Sequence, residues 1–145
     1  MSRFLVCEPF VYPGYEETSE SYSISSSCIV PAGMRTLAIS GQVGVDENGK
    51  PGETIADMVA LAFENVGKAI MHAVPEFTKK EAFRSIYQIT SYHSVEYGGI
   101  THEVGLTLGK TAKIVFGDYR PCWTAIGVSN IAVGCIEINI LACVP

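Results

Sequence analysis

The sequence predicts an α+β domain, a largely antiparallel sheet with two helices packed on one face, in the order β-β-α-β-α-β-β. Three observations carry this reading. Apolar residues recur at three- and four-residue intervals over residues 55–74, segments rich in β-forming residues stand on both sides of that stretch, and neither a linker nor a short-period repeat divides the chain. A length of 145 residues suits one domain, enough to bury a core without disulfides or metals.

Residues 1–20 mix Phe4, Leu5 and Val6 with Pro9, Pro13 and several glutamates, and predict an N-terminal arm ahead of a domain over 21–145. The run Tyr-Ser-Ile-Ser-Ser-Ser-Cys-Ile-Val over 22–30 reads as a strand. Pro31-Ala32-Gly33 is a turn signal, and 36–43 reads as the returning strand of a hairpin. A loop follows at 46–52, and Thr54 is placed to cap the helix over 55–74, with Asp57 as a short-armed capping-box partner.

Thr78-Lys79-Lys80-Glu81 starts a helical turn, and residues 85–95 predict a third strand that Gly98-Gly99 breaks. A second helix fits 100–115, against the preferences of Gly105 and Gly109. Pro121 resets the chain. Strands over 123–131 and 135–144, joined by a turn at 132–134, complete the order.

With 48% hydrophobic and 17% charged residues, the chain is more apolar than a small monomer requires, which points to a subunit interface. A net charge of −5 gives no general attraction to phosphate backbones, so nucleic acid is not an expected partner. Five cysteines with no C-x-x-C pair argue against a disulfide framework or a zinc site. The N-terminus lacks the layout of a signal or transit peptide and no apolar run reaches membrane-spanning length, so a cytoplasmic protein without a membrane partner is expected. Metal-ligand spacing, a catalytic triad and a phosphate loop are all missing from the sequence, and no cofactor is implied.

Several strings occur in an order that resembles the YjgF/RidA family. They are Tyr22-Ser23, Ile39-Ser40-Gly41-Gln42, Phe63-Glu64-Asn65-Val66, Arg120-Pro121-x-x-Thr124 and Ile136-Glu137-Ile138-x-x-x-Ala142, covering most of the chain from Tyr22 to Ala142. The resemblance implies a homotrimer with small-metabolite pockets at the subunit boundaries. In members that hydrolyse enamines and imines, a motif arginine grips the substrate carboxylate and a glutamate on the last strand helps place the attacking water. Glu137 matches that glutamate and is the candidate catalytic residue.

The motif arginine is replaced. Aligning Pro121 and Thr124 leaves Trp123 in its place, with one N–H donor and a large apolar face instead of a guanidinium. Arg120, roughly 10 Å away along an extended chain, would substitute only by folding back. Trp123 reads as a pocket wall, a core or interface residue, or both. Tyr22, Ser40, Gly41, His102, Arg120, Trp123 and Thr124 are the candidate substrate-binding residues. His93 and His72 read as structural or solvated, and Cys122 as a small buried cysteine. Three function classes follow, namely an enamine or imine hydrolase with an altered substrate, a non-catalytic metabolite binder, and, least favoured by charge, a ribonuclease.

Overall fold

The computed structural model describes residues 7–145 of the protein, so Phe4, Leu5 and Val6 lie outside the described residues. Elements follow as β1 (Glu8–Phe10), α1 (Glu16–Tyr22), β2 (Ser27–Ile29), β3 (Arg35–Val43), α2 (Ile55–Ala73), α3 (Lys79–Arg84), β4 (Ile86–Ser94), α4 (His102–Phe116), β5 (Cys122–Val128) and β6 (Ile136–Val144). A four-stranded sheet in the order β3-β6-β4-β5 carries the fold, and β1 and β2 form a separate two-stranded ribbon.

The long helices form where the periodicity places them. Thr54 caps α2 by accepting from the Asp57 amide at 3.0 Å, and Met58, Val59, Ala62, Phe63, Val66 and Ile70 turn inward. Thr78 opens α3 with a reciprocal capping box to Glu81, and Thr101 caps α4 through the Val104 amide. Val104, Leu108, Ala112 and Phe116 of α4 join the core that α2 makes with Ile89, Ile138 and Ile140. Asn65, within one of the family-like strings, donates to the carbonyls of Val43 and Val45 at 2.9 and 3.0 Å. It thereby ties α2 to the end of β3.

Three expectations need correction. The predicted hairpin does not form, because β3 pairs along its length with β6, from Arg35 opposite Val144 to Val43 opposite Glu137, while β2 pairs with β1. Residues 22–30 contain only a three-residue strand, and Tyr22 is the last residue of α1. The described part of residues 1–20 holds β1 and the start of α1.

That short helix is Ser- and Thr-rich and gains little from propensity, so its seat on α4 explains it. A Cβ at Gly109 would come within 2.6 Å of the Ser21 carbonyl oxygen, and one at Gly105 within 3.2 Å of the Tyr22 ring. The two glycines that weaken α4 on paper are what let α1 lie against it.

Finally, β5 runs parallel to β4, so the sheet is mixed, and β5 and β6 are not neighbours because β4 lies between them. Helix α4 makes the crossover that a parallel pair requires. The layered α+β arrangement stands, with α2 and α4 on one face of the sheet and, among the described residues, no helix on the other.

Candidate functional site

Register decides which side chains can meet, because paired residues on neighbouring strands share a face. Trp123 pairs with Ile89, which pairs with the buried Ile140, so the indole lies on the helix side. It meets the Phe63 ring of α2 edge-on, with centroids 5.5 Å apart. Glu137 pairs with Tyr92, three residues further along β4, and so projects from the opposite, bare face. Within one protomer the sheet separates the two most informative residues.

On the bare face, β3 carries a bulge in which Ser40 and Gly41 together oppose one residue of β6. A Cβ at Gly41 would lie 2.6 Å from Glu137 Oε2, so the carboxylate occupies space that only glycine leaves open. Ser40, Gly41 and Glu137 thus form one cluster. Glu137 also lines a concavity of about 360 Å³ with Tyr92, Val128, Asn130, Ile131 and Ala132. Thr124 shares this face, one strand beyond β4 and two residues off the Glu137 level, and lines no part of that concavity. Among the described strand residues of the bare face, Glu137 is the one charged group.

On the helix side, Tyr22 and Trp123 line a second cavity of about 240 Å³ with Ile24, Ile100, Thr101, Gly105, Leu108 and Ala125. None of the described residues that line it is charged. Trp123 Nε1 donates to Ser91 Oγ at 2.8 Å, and Ser91 Oγ is bonded in turn to His93 Nε2 at 2.8 Å. Burial holds the His93 imidazole below its ordinary pKa, so it stays neutral beneath the tryptophan. The indole therefore shows the cavity its apolar surface, its N–H being committed to the interior.

Arg120 does not fold back toward Trp123. Its guanidinium donates to Ser19 Oγ at 2.8 Å and to Glu20 Oε2 at 2.6 Å on α1, and that hydrogen bond and charge hold the Glu20 carboxyl below its usual range. Helix α1 supplies the acceptors that hold Arg120 there. His102 is exposed at the start of α4 and lines neither cavity. A concavity of about 590 Å³ between α2, α3 and α4 involves none of the candidate residues.

Sequence reading missed Ser91, Tyr92 and Asn130. Polar residues at Ser91 and His93, two apart on a strand whose same-face neighbour is Ile89, were the available signal for a buried network.

A scan against models of protein families finds no match. The chain is, however, 31% identical over 109 residues to the RutC family protein YjgH of Escherichia coli (strain K12), covering 75% of this chain and 76% of that protein. The chain belongs to the YjgF/RidA family. Solved structures agree at the level of fold. A Rid family protein of unknown function, YyfB from Yersinia pestis, matches over 93% of this chain and 97% of its own, with a TM-score of 0.73 and 20% identity. The structure of YjgH matches over 99% and 98%, with a TM-score of 0.61 and 25% identity.

Within this YjgF/RidA member, the family-like strings acquire structural reasons. Ile39-Ser40-Gly41-Gln42 is the bulge that receives Glu137, and Asn65 anchors α2 to β3. Trp123 is partly buried and packs against the helix-side core.

Proposed function

We propose that the protein is a homotrimer that binds a small metabolite at its subunit boundaries and hydrolyses an enamine, an imine or a related carbonyl compound. The observation that carries this reading is the Glu137 carboxylate lying over Gly41 on an otherwise uncharged face. A carboxylate so isolated is suited to accept a proton from water and return it to the leaving amine. Ser40 beside the bulge and Thr124 on the same face supply hydroxyls for orientation.

The site is completed by a second copy. One protomer presents Glu137, Ser40 and Gly41, and its neighbour presents Trp123 and Tyr22 from the other side of its sheet. The bare face, uncharged apart from Glu137, supports such packing, since an exposed surface of this kind is ordinarily covered. The substrate class follows from Trp123. A guanidinium would select a carboxylate, whereas an indole with its N–H turned away favours a flatter, less acidic compound.

The test is ammonia or carbonyl release from a panel of freshly generated imines with acidic and neutral aromatic side groups. Glu137→Gln should lower kcat on a turned-over member by roughly 10²–10⁴-fold while leaving the melting temperature nearly unchanged. Unchanged turnover would remove Glu137 from the mechanism.

A second reading, a trimer that binds a metabolite without transforming it, is favoured by one observation. The Trp123 cavity offers no charged group to grip a substrate carboxylate. Thermal stabilisation by a metabolite that is recovered unchanged would identify that case.

A further inference from the structure

Four of the five cysteines meet in pairs across a single junction. Cys7, just ahead of β1, places its Sγ 3.0 Å from Sγ of Cys143 on β6. Cys28, in the middle of β2, lies near Cys122 at the start of β5. The ribbon of β1 and β2 therefore faces the main sheet with one thiol on each flank, and each meets a thiol of the sheet. Cysteines are free in all five positions, and Cys7 and Cys143 are almost fully buried, at 0% and 1% exposure.

We propose that the ribbon is a thiol–disulfide latch, in which a hydroperoxide oxidises Cys7 and Cys143 to a disulfide that fixes the N-terminal ribbon to the last strand. The thiols need approach by only about 1 Å to reach a bonded S–S distance of about 2.05 Å. In the first step one sulfur attacks the peroxide, an S–O bond forms, the O–O bond breaks, and the departing oxygen leaves as water or alcohol with the thiol proton. In the second the other sulfur displaces hydroxide from the sulfenic acid, forming S–S and releasing water with the second proton. Two thiols are oxidised and one peroxide is reduced.

Geometry also sets the speed. Burial raises the Cys7 thiol, and its bond to Cys143 raises it further, so little thiolate is present in the closed state. Burial and the nearby Cys122 thiol push Cys28 up to about 12, although Cys28 and Cys122 are only half-buried. Oxidation of Cys7–Cys143 therefore proceeds through transient lifting of the ribbon and is slow beside that of a surface thiol. The ribbon adjoins Tyr22 and Ile24, which wall the Trp123 cavity, so closing the latch fixes that wall. The latch does not depend on the chemistry proposed for Glu137.

Hydrogen peroxide titrated onto the full-length reduced protein tests it by intact mass and by peptide mapping without reductant. The expected result is loss of two hydrogens, a Cys7-peptide joined to a Cys143-peptide within one molecule, reversal by dithiothreitol, and a rise in melting temperature of roughly 5–15 °C. Cys7→Ser should abolish both the cross-link and the rise, and Cys7→Ala serves if the serine variant fails to fold. Sulfinic acid at either residue with no such cross-link, or a cross-link that forms only between molecules, would overturn the proposal.

Discussion

At the scale of single residues, Gly41 and Glu137 make a lock with no room for a methyl group between them. Gly41→Ala leaves every chemical group of the site in place, yet its Cβ would fall within 2.6 Å of the carboxylate and must push it aside. The expected outcome is a drop in turnover of about 10-fold or more with a stability loss below about 1 kcal/mol, since the flexible Glu137 side chain can swing away, read from paired kinetics and denaturant midpoints. His93 supplies a pH dependence of definite sign. Its folded-state pKa is depressed below the ordinary 6.5 by burial, so between those two values the unfolded chain binds the extra proton. Stability is then full above about pH 6.5 and falls as the pH drops through that value toward the lowered one. Denaturant midpoints measured from about pH 8 down to about pH 5 should show this slope, and His93→Gln should flatten its share of it.

At the scale of elements, the helix α1 depends on two absent side chains of α4. Gly109→Ala drives a Cβ to within 2.6 Å of the Ser21 carbonyl oxygen, and since that neighbour is backbone, α1 must move. The variant should lose about 1–3 kcal/mol and become cleavable near residues 14–23 under limited proteolysis that leaves the wild type intact. This element also marks where sequence reading stops. Helices α2 and α4 and strands β3, β4 and β6 were legible because a period or an alternation runs through each of them. Helix α1 was not, because Glu-Glu-Thr-Ser-Glu-Ser-Tyr has no strong local preference and takes its structure from glycines nearly ninety positions away. Residues 22–30 failed similarly, since β6 outcompetes them for β3 with a ladder of seven paired positions. The site was half legible. Glu137 and Gly41 could be read from their strings, but the strand order that puts Trp123 behind the sheet depends on long-range pairing that no local pattern encodes.

At the scale of the whole molecule, sedimentation at micromolar concentration should give a trimer, and a monomer would undo the shared site together with the reading that rests on it. No helix among the described residues is long and apolar enough to cross a membrane. The face of the sheet away from α2 and α4 is where the proposed assembly would bury apolar surface. The sheet stands as a partition between the Glu137 side and the Trp123 side of every protomer. In the proposed assembly, each protomer therefore lends one half of a site to the neighbour on its left and the other half to the neighbour on its right. Two crippled genes should then rescue one another. Glu137→Gln and Trp123→Ala subunits, each inactive alone, should on co-expression regain about one working site in four, because a mixed ring can seat an intact face of one beside an intact face of the other.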